Sequence, residues 1–282
     1  MNGRVGVPVR VRRVSSELRE LRLRSGLGAE EVAGALGFSM SKLSRIENGQ
    51  RGLYADDVSA LLGLYRVPAE RREELMKIVR TASHPNWWQV QDGRLPALED
   101  LIRFENEATT FHNYETMIVP GLLQTSEYTV ALCEGSGRGF TAAEVRQFVN
   151  ARMSRQTVLH SAGAAEFVFL IEHGVLERLV GGPGVMYRQL MHLHSSSSRD
   201  NVTLRILPSS LGAHPGLDGP FVLLEFVNHQ DLVHVECRGS TSFLEEAEHV
   251  AAAREALERL CEVALSAEDS AELIARTADG MT

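Results

Sequence analysis

The sequence predicts an α+β protein in two parts. Five short helices come first, and a mixed α/β domain with a small mixed sheet and a long C-terminal helix follows. Up to about residue 80, apolar residues recur at helical spacing between glycines. Beyond residue 98, short apolar runs typical of buried strands alternate with helical segments. The charges divide at the same place, because residues 1–80 hold 15 basic and 10 acidic side chains and the remainder 14 and 27, within a net charge of −8.

Composition favours a cytoplasmic protein. The three cysteines, Cys133, Cys237 and Cys261, have no CxxC spacing, which argues against a disulfide framework or a zinc ribbon. No apolar run reaches the roughly 18 residues of a membrane span. The start, MNGRVGVPVRVRR, lacks the apolar centre of a secretory signal, so a flexible basic arm is expected over residues 1–14.

The first domain is predicted over residues 15–80. A first amphipathic helix covers residues 16–24, and a second, AEEVAGAL, stops at Gly37. Ser39 is a favourable N-cap for a third helix, which Asn48 and the following glycine close. Two helices joined by a tight glycine turn, the second short and polar outside, are typical of a DNA-binding helix-turn-helix. The fourth and fifth helices follow, and a helical hairpin with no DNA role is the alternative.

The segment GLGAEEVAGALGFSMSKLSRIENGQRG resembles the helix-turn-helix of phage-repressor-like (xenobiotic-response-element, XRE) regulators. The resemblance implies that one set of residues faces base edges: Met40, Ser41, Ser44 and Arg45. It implies that a second set faces phosphates: Lys42, Gln50 and Arg51. Arg45 can donate two hydrogen bonds to guanine. Met40 and Ala29 replace glutamines that are frequent in the family, so its base preferences do not carry over. A homodimer on double-stranded DNA is expected, since one short helix reads few bases.

A linker is predicted over residues 81–97, where prolines, a glycine and polar residues accumulate. It contains both tryptophans, Trp87 and Trp88. They either anchor the linker to a domain or form a stacking or partner surface.

The second domain is predicted over residues 98–278. A helix to about Thr110 is followed by the IVPGLLQT segment (residues 118–125), whose Pro-Gly pair breaks the pattern, and then by two more helices. The runs AEFVFLIE and NVTLRILP read as strands joined by helices, which predicts a parallel pair. GPFVLLEFVNHQDLVHVEC predicts a hairpin turning near residues 228–231, and one long and one shorter helix end the domain.

This stretch resembles an effector-like domain (DUF5753, antitoxin-like type) that is fused to such helix-turn-helix modules in high-GC filamentous bacteria. The residues that carry the resemblance are EATTFHNYETMIVPGLLQTSEY, FVFLIEHGVLERLVGGPGVMYRQL, VTLRILP and GPFVLLEF. The resemblance implies a regulator, or the DNA-binding half of an antitoxin-like pair, with a small acidic protein encoded nearby as partner.

Five residues around the IVPGLLQT segment are predicted to bind the partner or a cationic ligand: Glu105, Glu107, Ile118, Leu122 and Tyr128. The carboxylates and the hydroxyl would offer hydrogen bonds beside apolar side chains. Alternatively, the polar residues cap neighbouring turns.

No catalytic set is recognisable, so the protein is not expected to be an enzyme and no cofactor is expected. His192 and His194 point to different sides of a predicted helix, and GGPG lacks the spacing of a phosphate loop. If His234 and Glu236 share one face of a strand, they could ligate a metal ion or form an acid–base pair. The alternative is that they are polar residues on the open face of a sheet. The sequence therefore predicts a dimeric, sequence-specific transcriptional regulator with partner or ligand input. The alternatives are a mainly sequestering antitoxin-like protein and, more remotely, a small-molecule-sensing or catalytic domain.

Overall fold

The computed structural model describes residues 9–49, 53–81, 94–160, 165–227, 230–237 and 240–281. The chain divides into two compact units, one formed mainly by residues up to 93 and the other mainly by residues from 94 onward. The predicted α+β class, with helices first and a mixed domain second, is confirmed. In the described ranges, no helix is long and apolar enough to cross a membrane.

The first unit contains five described helices. They are α1 (Val9–Arg24), α2 (Ala29–Leu36), α3 (Met40–Glu47), α4 (Ala55–Leu64) and α5 (Ala69–Thr81). Helix α1 begins inside the segment expected to be a flexible arm. The reason is that Val14 and Leu18, four residues apart on one helix face, are both fully buried in the core.

The core of this unit draws one or more side chains from every helix. Leu18, Val32, Leu43, Leu61 and Leu75 come from α1 to α5 in turn and are almost completely buried. Each such side chain contributes about 1.5–3 kcal/mol by leaving water. The core therefore fixes α2 and α3 rigidly against the other three helices.

The second unit surrounds a six-stranded sheet with helices. The helices are α6 (Arg94–Glu107), α7 (Ser126–Gly135), α8 (Ala142–Arg155), α9 (His173–Glu177), α10 (Pro183–Ser196), α11 (Ala247–Val263) and α12 (Ala267–Asp279). The strands are β1 (Thr110–Glu115), β2 (Glu166–Glu172), β3 (Val202–Leu207), β4 (Phe221–Glu225), β5 (Leu232–Cys237) and β6 (Ser240–Leu244). Helix α6 starts within the predicted linker, and Trp87 and Trp88 lie outside the described residues.

The sheet has the order β3-β2-β1-β4-β5-β6. Strands β2 and β3 are parallel with α9 and α10 between them in sequence, and β4 and β5 are antiparallel, so both predicted pairings are confirmed. Strands β1 and β6 were not predicted. Helix α6 ends at Glu107, near the expected end at about Thr110. Strand β1 follows it and is paired on both sides, parallel to β2 and antiparallel to β4.

Strand β3 lies at one edge of the sheet, and a later segment of the chain covers it. The amide of Leu265 donates to the carbonyl of Ile206 at 2.9 Å, and the amide of Ile206 donates to Ser270 Oγ at 2.9 Å. The Arg205 guanidinium donates to the carbonyls of Ala264 and Leu265, each at 2.7 Å. These bonds satisfy backbone groups that an open edge would offer to another strand.

Candidate nucleic-acid interface

The turn between α2 and α3 is fixed by caps at both helix starts. The Glu31 carboxylate accepts from the Gly28 amide at 2.7 Å before α2. Gly37 ends α2 with φ 65°, a left-handed conformation that favours glycine. Ser39 Oγ then accepts from the Lys42 amide at 3.1 Å, which confirms Ser39 as the N-cap of α3. The local sequence therefore sets the angle at which α3 is presented.

The outer face of α3 carries the four residues predicted to read bases. Met40 is 47% exposed, and Ser41, Ser44 and Arg45 are exposed as well. Leu43 and Ile46 lie on the opposite, buried face. The Arg45 Nε donates to the Ser41 carbonyl at 3.1 Å, which holds the guanidinium along the helix surface.

Lys42, predicted to contact phosphate, already has partners within the protein. Its Nζ lies 2.7 Å from Asp57 Oδ1 and 3.8 Å from the centre of the Phe38 ring. Because Asp57 partly neutralises its charge, Lys42 attracts phosphate less strongly than a free lysine would. The other two predicted phosphate contacts, Gln50 and Arg51, lie outside the described residues.

A buried ion pair fastens the end of α3 to α1. Arg22 Nε lies 2.7 Å from Glu47 Oε1 and Arg22 Nη2 lies 2.8 Å from Glu47 Oε2, while Arg22 Nη1 donates to the Leu27 carbonyl at 3.2 Å. The pair was not predicted from the sequence. The spacing could have indicated it, because Val14, Leu18 and Arg22 are four residues apart and therefore lie on the same, buried face of α1.

In the second unit, three of the five predicted contact residues are buried, which corrects their expected role as surface contacts. Glu105 is 1% exposed and forms a bidentate ion pair with Arg155, with Nε at 2.9 Å from Oε2. Tyr128 is fully buried, and its hydroxyl accepts from the Val119 amide at 3.2 Å. Leu122 is buried too. These side chains hold the domain together, which leaves an exposed Glu107 and a partly exposed Ile118 at the surface.

The IVPGLLQT segment is a closed turn whose backbone is satisfied by two glutamines. Gln124 Nε2 donates to the Val119 carbonyl at 2.8 Å. The fully buried Gln189 of α10 accepts from the Thr125 amide and donates to the Leu123 carbonyl, each at 2.7 Å. Gln189 had not been singled out from the sequence, and its position on the buried face of α10 was the available signal.

The histidines considered as ligands are separated in the fold. His192 is on α10, where burial, and to a lesser extent the charge of Arg199, lower its pKa. His234 is buried on β5, with Glu236 exposed two residues further along the strand. Across the ranges that the structure describes, no group of three or more histidine, cysteine or carboxylate side chains is placed to hold a metal ion.

The chain matches two known sequence families. The model of a helix-turn-helix domain matches residues 13–75, which contain α2, the glycine turn and α3. The model of a domain of unknown function, DUF5753, matches residues 98–276, which is more than half of the chain. The chain belongs to the DUF5753 family. No match was found among curated proteins, and none among solved structures.

The DUF5753 domain is thus joined to a DNA-binding helix-turn-helix, and the protein is a DNA-binding regulator. The architecture expected from the resemblance is confirmed. In addition, the structure shows a capped helix α3 with a mostly polar outer face in the first unit, and a hydrogen-bonded turn in the DUF5753 domain.

Proposed function

We propose that this protein is a dimeric, sequence-specific transcriptional regulator of the XRE type whose DUF5753 domain receives input from a partner protein or ligand. The outer face of α3 carries the proposal. Four exposed residues there lie on a helix that a cap fixes at one end and the Arg22–Glu47 pair fixes at the other. Such a helix enters the major groove as a rigid element.

Base reading is assigned to the exposed face of α3. Arg45 donates two hydrogen bonds to guanine, Ser41 and Ser44 make less selective contacts, and Met40 packs on a thymine methyl. Lys42, Gln50 and Arg51 contact phosphates and set the register. Two copies place their α3 helices on half-sites about one helical turn apart, which gives the specificity that eight residues of one helix lack.

The DUF5753 domain acts by binding and not by catalysis in this proposal. Its acidity disfavours contact with DNA, since the residues after 80 hold 27 acidic and 14 basic side chains. Glu107 is exposed at the end of α6 and Ile118 is partly exposed at the start of the IVPGLLQT segment, and both offer a contact surface. The resemblance to effector domains favours a small acidic protein, encoded nearby, as the partner.

We expect Arg45→Ala to weaken operator binding by about 1–3 kcal/mol and to relax preference at one base pair. Arg51→Ala should weaken binding to every sequence alike, because phosphate contacts carry no base information. Binding of operator and scrambled DNA, measured by fluorescence anisotropy at fixed salt, separates the two effects.

Arg19→Ala is the matched control for Arg45→Ala, because Arg19 is an exposed arginine of α1. It should leave operator preference unchanged. If Arg45→Ala lost affinity for operator and scrambled DNA equally, the base-reading assignment would be wrong.

Partner binding and operator binding should be coupled. If the partner changes operator affinity by some factor, operator DNA must change partner affinity by the same factor. Calorimetric titration of the partner into the protein, with and without operator, measures this factor. Identical affinities would contradict input to DNA binding and would favour the antitoxin-like alternative, in which the partner is simply sequestered.

A further inference from the structure

A polar patch lies on one face of the sheet in the DUF5753 domain. Asn113 of β1 is opposite Val222 of β4, and Val222 is opposite His234 of β5, so Asn113 and His234 share a face. Two residues further along each strand, Glu115 and Glu236 lie on that same face. A face that only supports a domain core is expected to be apolar at buried positions, yet Asn113 and His234 are both buried.

Two arginines of α8 belong to this patch. Arg155 is taken up by Glu105 in the buried ion pair, and its charge lowers the pKa of His234 in addition to the larger effect of burial. Arg152, three residues earlier on the same side of α8, lies against Gly121 of the IVPGLLQT segment. A Cβ atom at Gly121 would overlap the Arg152 guanidinium. The glycine of this turn therefore makes room for Arg152.

Among the described residues, Arg152 forms no ion pair and its guanidinium takes part in no hydrogen bond. Burial, and then the like charge of Arg155, lower its pKa to about 10, while Glu236, Glu105 and Glu115 act at longer range to raise it. Arg152 is partly exposed, so its guanidinium is accessible from solvent and is available to an anionic group of a ligand.

The pKa of the Glu115 carboxyl is shifted in the opposite direction to that of Arg152. Burial raises its pKa to about 7, opposed by the hydrogen bond from Asn113 at 3.4 Å, and the charges of Glu236 and Arg152 have smaller and opposite effects. Burial lowers the pKa of His234 to about 4, so this imidazole is neutral at pH 7. At neutral pH the patch thus offers the Arg152 cation together with two carboxyl groups, the half-ionised Glu115 and the exposed Glu236.

We propose that this patch binds a small zwitterionic molecule of the amino-acid class, with its carboxylate on Arg152 and its ammonium between Glu115 and Glu236. The planar guanidinium accepts a carboxylate in bidentate geometry. A simple anion would meet the two glutamates, and a simple cation would meet Arg152, so only a ligand with both charges matches the patch. This inference rests on the proposed function in one respect, which is that the bound molecule would be the ligand input to the DUF5753 domain.

The test is calorimetric titration of the full chain, without DNA, with each of the twenty standard amino acids at pH 7. We expect at least one to bind. Its counterpart without the amino group, and its counterpart without the carboxylate, should each bind at least about tenfold more weakly, since each lacks one charge-assisted contact. If none of the twenty binds, or if either counterpart binds as well as the amino acid, the proposal is overturned.

Variants locate the binding at the patch. Arg152→Gln and Glu236→Gln should each lower affinity at least about tenfold. Arg146→Gln, an exposed arginine on the same helix, is the matched control and should bind normally. Glu236 is exposed, so its variant decides the question even if Arg152→Gln fails to fold. Unchanged affinity in Glu236→Gln would overturn the proposal.

Proton release on binding distinguishes this site from a distant one, because binding far from Glu115 would not change the protonation of its carboxyl. The ligand ammonium stabilises ionised Glu115, so binding at pH 7 should release up to about half a proton, because the pKa of Glu115 starts at about 7. Titrations in buffers of different ionisation enthalpy measure this, and Glu115→Gln should abolish it. If the amino acid binds but operator affinity does not change, the input role in the proposed function is refuted while the binding site itself is supported. Release that persists in Glu115→Gln would overturn the assigned placement.

Discussion

Glu105→Ala is expected to destabilise the DUF5753 domain by about 3–5 kcal/mol, because it leaves a buried arginine without its counter-charge. Arg155 is only 8% exposed and lies near a second cation, Arg152. Removing the carboxylate therefore leaves two like charges in a desolvated region. Chemical denaturation of the full chain, with hydrogen exchange in β1 and α8 as a domain-specific probe, measures the loss.

Glu107→Ala is the matched control, since Glu107 is an exposed carboxylate of the same helix. It should change stability by no more than about 0.5 kcal/mol. The double variant Glu105→Met with Arg155→Met should be less damaging than Glu105→Ala, because both charges are removed together. Equal, small losses in Glu105→Ala and Glu107→Ala would contradict the structural role of the pair.

Glu47→Ala is expected to destabilise the helix-turn-helix unit by about 3–5 kcal/mol and to reduce operator binding with it. Arg22 is 11% exposed and Glu47 7%, so the remaining guanidinium has little access to water. Helix α3 also loses its connection to α1 at the end opposite its N-cap. Hydrogen exchange within residues 13–49 of the full chain, together with anisotropy on operator DNA, reports both effects.

The control for this variant is Glu20→Ala, which removes a surface ion pair from α1. Arg24 and Glu20 are 74% and 61% exposed, and such pairs contribute about 0–1 kcal/mol. Operator binding should be unchanged. If Glu20→Ala and Glu47→Ala had the same effect, the anchoring of α3 by Arg22 would be refuted.

Much of the first unit was predictable because its signals are local. Gly37 is needed for a left-handed turn, and Ser39 caps the helix that starts beside it, so a few neighbouring residues decide the geometry. The same holds for β3 and for the hairpin of β4 and β5, whose apolar runs are separated by turn residues.

The parts that were missed depend on residues that are distant in sequence. Strand β1 carries His112 and Asn113 where an apolar alternation would be the usual signal, and pairing with β2 and β4 decides its conformation. The Glu105–Arg155 pair joins residues 50 apart, which no periodic pattern reports. Glu105 was therefore interpreted as a contact residue, when its carboxylate is inside the domain.

The cover over β3 sets the order in which the two units can fold during synthesis. The core of the first unit uses residues between Val14 and Val79, so it is complete early. The edge of β3 is covered only after Leu265 and Ser270 have been synthesised. Ser270 is roughly 190 residues beyond Val79, and their synthesis takes about 10–40 s at typical ribosome speeds. A nascent chain thus presents a folded helix-turn-helix well before the DUF5753 domain has closed.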